Sequence, residues 1–264
     1  MIKKDEKIEL KLNYGGVTNS LYDKLRKCND SVTFGLQTLE LINEIPPELE
    51  IDSSFLKMKM GENDIDICAK KQKYKDWLLE RGFEDLMKGV EYTLRDAYKY
   101  SYIISNPIKF TKLKNLNDFQ KKAEFCTISS MIEKIKFFSI KDLVYVEHIL
   151  SINKVRNCLV HRGGIVGEKD INNKNLKILE LKWIKMKLFY KNNKSEEVDI
   201  VGGTKIQNVG HSGALVLLKK DEKIKNFKKG EKISFDYKQF NEIISTCFLF
   251  GEDLKNCLPK KIKT

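Results

Sequence analysis

Histidine and arginine are scarce in this chain. It has three histidines and five arginines among 49 basic residues, so nearly all of its positive charge is lysine. His148 and His211 stand far from any cysteine cluster, and Cys28, Cys68, Cys126, Cys158, Cys247 and Cys257 include no C-x-x-C pair. That spacing excludes the common zinc patterns and argues against a disulfide frame; the cysteines read as buried thiols of a reducing compartment, with no metal site expected. No apolar run reaches the roughly 18 residues a membrane span needs, and Met1-Ile2-Lys3-Lys4-Asp5-Glu6-Lys7 enters charge directly instead of an apolar leader. A soluble cytoplasmic protein without membrane attachment is the expectation. Internal repeats are absent. Neither Gly203 nor Gly210-His211-Ser212-Gly213 has the strand-to-helix setting of a phosphate loop, and His211 reads as a turn residue.

What is present describes a globular chain. The 264 residues, 41% of them hydrophobic, suffice for a substantial core. A net charge of +12 permits a nucleic-acid partner. The lysines are spread along a chain rich in isoleucine and asparagine, so charge alone does not specify one.

Hydrophobic periodicity predicts several helices. After a weak alternation at Ile8, Leu10 and Leu12 and a turn at Gly15-Gly16, the residues Leu21, Leu25, Cys28, Val32, Leu36, Leu39 and Ile42 keep helical spacing until Ile45-Pro46-Pro47. Residues 46–72 predict a loop with at most one short helical turn. A second helix runs from Tyr74 through Trp77, Leu78, Phe83, Leu86, Val90 and Leu94 to Asn106-Pro107, with Gly82 and Gly89 as possible bends. Its Tyr92, Tyr98, Tyr100 and Tyr102 suit either base stacking or core packing. Asn117-Asp118-Phe119-Gln120 predicts the start of a third helix carrying Phe125, Ile128, Ile132, Ile135 and Phe138. Ser139-Ile140-Lys141-Asp142 has the form of a capping box and predicts the start of a fourth, which Gly163-Gly164 ends.

After Gly167 the period changes to two. Ile184, Met186, Leu188 and Tyr190 alternate with lysines, Asn192-Asn193 reads as a turn, and residues 198–201, 214–218 and 233–235 read as further strands. Asp236 with Gln239 then starts a last helix with Phe240, Ile243, Ile244, Cys247, Phe250 and Leu254 on one face. The expected fold is mainly α, α+β overall: an antiparallel bundle in residues 1–165, a β-rich insertion of about three to five strands in 166–235, and a C-terminal helix in 236–264 packing back on the bundle.

The stretch Lys154-Val155-Arg156-Asn157-Cys158-Leu159-Val160-His161-Arg162-Gly163-Gly164 holds one of the histidines and two of the arginines. On a helix Asn157 and His161 share a face, while Arg156 lies about 100° from Asn157 and roughly 140° from His161. One helix does not converge them, but two copies crossing at a two-fold interface could. Imidazole moves protons near neutral pH, and guanidinium is a permanent planar fork for phosphate oxygens. The set suits attack of an RNA 2′-hydroxyl on its own phosphodiester, with no metal or other cofactor required.

Arg156-Asn157-x-x-x-His161 resembles the R-x(4–6)-H signature of the HEPN (higher eukaryotes and prokaryotes nucleotide-binding) superfamily, with a polar residue directly after the arginine. The resemblance implies an all-α bundle whose homodimer forms a composite, metal-independent ribonuclease site. Arg156 resembles the phosphate-stabilising arginine, Asn157 the polar orienting residue and His161 the general acid/base. Lys154 and Arg162 flank them as candidate RNA-binding cations. In one subgroup, toxins paired with nucleotidyltransferase antitoxins, a tyrosine stands two residues after the histidine; here that position is Gly163. The likeness further implies a prokaryotic toxin or antiphage effector, with an antitoxin or activating partner. Two other functions stay open, a non-catalytic RNA- or protein-binding module and a nucleotide-sensing regulator. A plain structural role stays open too: His161 capping its helix, Arg162 a solvated charge and Arg156 an exposed helix residue.

Overall fold

The computed structural model describes residues 12–42, 49–52, 57–60, 67–106, 113–192, 194–200 and 216–260. In chain order these form α1 (Gly16–Leu41), β1 (Leu49–Asp52), β2 (Lys57–Met60), α2 (Ile67–Ser105), α3 (Leu113–Glu124), α4 (Ile128–Phe138), α5 (Val146–Arg162), β3 (Ile178–Lys191), β4 (Glu197–Asp199), β5 (Val216–Lys228) and α6 (Tyr237–Cys257). The protein is mostly helical, with a small antiparallel sheet of order β4-β3-β5, and is α+β overall.

Glycine sets how closely the long helices approach. Gly35 lies against Leu78, Gly82 against Val32 and Gly89 against Lys24, so α1 and α2 run antiparallel. A Cβ at Gly82 would fall 2.5 Å from Val32 Cγ2 and 2.8 Å from Phe240 Cζ, so α1, α2 and α6 meet at a point only glycine allows. Helix α6 is antiparallel to α1: Tyr14 donates to the Lys255 carbonyl, Tyr22 to the Glu252 carboxylate, and the Thr33 and Tyr237 hydroxyls share a bond of 2.5 Å. Asp236 and Gln239 cap α6 reciprocally, at 2.7 and 3.1 Å, as their spacing predicts.

Several boundaries differ from the sequence reading. The third helix is two. Phe125 falls in the break between α3 and α4, exposed instead of on an apolar face, and Thr127 restarts the chain by accepting from Ser130 N at 3.2 Å. Helix α5 begins at Val146, not near Ser139, because Ser139 closes α4: its hydroxyl donates to the Ile135 carbonyl at 2.8 Å and is not left to cap a new helix. Within 46–72, β1 and β2 pair antiparallel from Leu49↔Met60 to Asp52↔Lys57, and α2 starts at Ile67. The alternation of Leu49, Ile51, Met58 and Met60 with charged residues is the signal a loop reading passes over. Helix α2 then runs unbroken for 39 residues through both glycines.

Residues 233–235 are not a strand. Ile233 N donates to Gly164 O at 2.8 Å, and Ile233 and Phe235 are buried, so this segment straps the end of α5 to the core. Tyr98 and Tyr100 are buried and Tyr102 stacks on Phe119 at 4.5 Å, which makes these three packing residues, not a base platform. Residues 1–11, with Ile8 and Leu10 of the weak N-terminal alternation, the Gly202-Gly203 pair and the Gly210–Gly213 cluster lie outside the described residues.

Strand β3 pairs β5 over most of its length but β4 only across Phe189–Lys191. The rest of that edge is satisfied by other partners. The Asn173 backbone exchanges two bonds with Ile178 (3.2 and 3.3 Å), and the Asn172 amide does the same with Glu180 (2.7 and 2.8 Å). The Ser151 hydroxyl of α5 bonds Lys182 N and O at 2.9 and 3.3 Å, and the Thr246 hydroxyl of α6 bonds Ile184 N and O at 2.8 and 3.4 Å. An unpaired edge would otherwise strand buried donors and acceptors. The consequence is positional: the sheet edge docks on both helices and fixes α5.

Candidate active site

Helix α5 divides cleanly. Ile149, Ile152, Val155 and Cys158 are fully buried against the bundle, and Ser151 reaches the sheet. At 3.6 residues per turn the opposite side carries Asn153, Lys154, Asn157, Val160 and His161, none of them buried. The helix ends as its glycines predict: Gly163 has φ 59° and Gly164 φ 77°, and Gly164 N donates to Cys158 O at 3.2 Å. Val166 then donates to Glu231 O at 3.0 Å and accepts from Gly230 N at 2.8 Å. The last turn is thus held from below, with its outer face open.

Among the arginines, Arg26 pairs with Asp23, Arg81 with Glu84, Arg95 with Glu91 and Arg162 with Asp170. Arg156 alone has no carboxylate partner among the described residues. Its Nη1 donates instead to the neutral amide oxygen of Asn157 at 3.0 Å, while its Nε is buried without a partner. A permanent charge held by a neutral group keeps its full attraction for an anion from outside.

Arg162 is placed differently from its neighbours. Asp170 is fully buried and accepts from Arg162 Nε at 2.6 Å, from Arg162 Nη2 and from Gly167 N at 2.8 Å. Burial acts to raise the Asp170 carboxyl, but the bonds from Arg162 and Gly167 outweigh it and hold it below the usual carboxylate value. The Cys158 thiol is pushed up to about 11 by burial and then by Asp170, which leaves it protonated and unreactive. Arg162 therefore clamps the 163–170 loop, a role that sequence spacing did not suggest.

The imidazole of His161 is exposed, Lys154 is half-buried, and neither has a hydrogen-bond or ion-pair partner among the described residues. No hydrogen bond joins Arg156 to His161 within one chain, in agreement with the angle between them on the helix. Arg156 and Asn157 are brought together; His161 stands one turn on from Asn157. His148 is nearly buried on the other side, its Nε2 2.9 Å from Glu222 Oε1 of β5. It belongs to the contact between α5 and the sheet.

The residues that sequence reasoning missed are Ser151, Thr246 and Asp170, which position α5 and its exit loop. A hydroxyl at an inward position of an apolar stripe, as at Ser151, was the available signal. A cleft of about 560 Å³ has no α5 residue in its lining, which includes Glu40, Lys75, Asp76, Lys225 and Asp236. Its charges are largely engaged, Lys75 with Glu40 and Lys225 with Ser234 O at 2.7 Å, so its size does not make it the better candidate. Among the described residues no cluster of His, Cys, Asp and Glu is arranged to hold a metal ion, and no helix is long and apolar enough to cross a membrane. Comparison with known proteins found no matching family model, curated protein or solved structure.

Proposed function

We propose that the outward face of α5 is the catalytic surface of a metal-independent endoribonuclease of HEPN type, active as a homodimer in which two α5 helices cross. The observation that carries this reading is Arg156, which alone among the arginines has no carboxylate partner among the described residues and is held by Asn157, one helical turn before an exposed His161.

In this reading the ribose 2′-oxygen attacks phosphorus while one His161 removes its proton. The bond from phosphorus to the 5′-oxygen breaks as the His161 of the second copy protonates the leaving oxygen. Arg156 neutralises the charge that builds on the phosphoryl oxygens, and Asn157 holds the guanidinium in place. The products are a 2′,3′-cyclic phosphate and a free 5′-hydroxyl. Lys154, on the same face, attracts the RNA backbone. The biological setting that fits is a prokaryotic toxin or antiphage effector restrained or triggered by a partner.

The test is RNA cleavage by the purified protein in excess EDTA, beside Arg156→Ala and His161→Ala variants with verified folding. Cleavage by the wild type, lost in both variants, with a cyclic phosphate on the upstream fragment, is the expected result. An inactive wild type that still binds RNA would leave a non-catalytic binding module.

A further inference from the structure

Trp77 patterns with the core in the sequence, yet the structure leaves it 51% exposed and its helical neighbour Tyr74 55% exposed. A large apolar ring kept at the surface is more informative than a buried one. The spacing of α2 places Lys70, Lys73, Tyr74, Trp77 and Arg81 on one face, a stripe of about 16 Å at 1.5 Å per residue. Beside it lies a groove of about 310 Å³ with Cys28, Val32 and Gly82 at its floor. Lys24 and Lys27 of α1 line one side, Trp77 and Arg81 of α2 the other. The glycine contact at Gly82 is what brings these two rows close.

Charge in the groove is not cancelled. Lys27 has no carboxylate partner among the described residues, and Lys24 is held only over the Tyr92 ring, 5.7 Å from its centroid. Asp85 also lines the groove but is paired with Lys88 at 3.3 Å, and Arg81 retains Glu84. An accessible indole flanked by ammonium groups that have no carboxylate partner among the described residues is the arrangement that stacks a base and holds its phosphates. A bilayer is a poorer fit, because Lys70, Lys73 and Arg81 share one face with the aromatic rings instead of lying on the opposite face of the helix.

We infer that the α1–α2 groove binds single-stranded nucleic acid, with a base stacked on Trp77 and the adjoining phosphates on Lys24 and Lys27. This deepens the ribonuclease reading and rests on it for the choice of RNA as natural ligand. It adds a binding surface separate from the α5 face, built from residues that take no part in the reaction.

The experiment uses the full chain and a short oligothymidylate, which lacks a 2′-hydroxyl and cannot be cleaved by the proposed chemistry. Of the two tryptophans, Trp183 is 4% exposed and donates to Glu242, so a change in indole emission on binding reports Trp77. Expected are quenching in the wild type, its loss in Trp77→Phe, and binding weakened about tenfold in Trp77→Ala. Lys27→Ala should lower the slope of log affinity against log salt by about one. Unchanged melting temperatures verify that these surface variants fold. Absence of binding, equal affinity in wild type and Trp77→Ala, or quenching by anionic phospholipid vesicles alone would overturn the inference. Trp77-dependent binding without any RNA cleavage would uphold the groove and remove the nuclease reading.

Discussion

Arg156 and Arg162 stand six residues apart on one helix and are put to opposite uses. Arg162 is closed on a fully buried aspartate and anchors the loop that leaves α5. Arg156 is half-buried at the border of the open face and, among the described residues, is bonded to a neutral amide and to no carboxylate. The contrast teaches that a cation's candidacy for phosphate depends less on its position in a motif than on whether the fold has already supplied its counter-charge.

The widest separation between the two should appear in cleavage. His161→Ala is expected to lower the rate by about 10²–10⁴-fold, and Arg156→Ala by about 10²–10³-fold, measured as single-turnover RNA cleavage. The exposed His161 leaves the melting temperature unmoved. Arg162→Ala should behave in the reverse way. It leaves a buried, unpaired carboxylate at Asp170 and costs about 3 kcal/mol of stability by denaturant unfolding. Asp170→Asn costs less, about 1 kcal/mol, because the released guanidinium can reach water. Full stability together with lost cleavage in Arg162→Ala would move Arg162 to the RNA contacts and dissolve the contrast.

The mounting of α5 gives a third check. Ser151→Ala and Thr246→Val strip the partners from Lys182 N and Ile184 N, and each should cost about 1–3 kcal/mol. Hydrogen exchange at those two amides should accelerate in the matching variant; unchanged exchange would mean that the sheet edge is protected some other way. The smallest expected effect concerns pH. Because the folded Asp170 carboxyl lies below its ordinary value of about 3.9, its contribution to stability is complete above that pH. It is lost as pH falls through the folded value, since the unfolded chain then binds more protons. Asp170→Asn should remove this part of the acid sensitivity, as seen in unfolding free energies measured between about pH 5 and 2.

Much of the fold was legible. The apolar rows of α1, α2 and α6 are long enough for their period to be unmistakable, and the Asp236–Gln239 cap and the Gly163-Gly164 stop are local events that need no partner. Breaks were harder to see. Ile128, Ile132, Ile135 and Phe138 continue the spacing of α3, so nothing local announces the gap at Phe125–Thr127. Ser139 looks the same whether it opens one helix or closes another. The polar run in β5 hid most of that strand, since its pairing with β3 and not its composition makes it extended. At the candidate site, the residue types and their spacing on α5 were readable, but the pairing of Arg162 was not, because Asp170 reaches it only after the chain turns through two glycines.

The sequence by itself determined the helical elements and the face of α5 on which Asn157 and His161 stand, because helical period and glycine conformation are properties of the local chain. Tertiary structure alone decided which arginine is spent on a buried carboxylate, which strand edge Ser151 and Thr246 close, and that Trp77 lies open beside Lys27. Those outcomes depend on residues distant in sequence meeting across a packed interior, and no local pattern encodes which of them will meet.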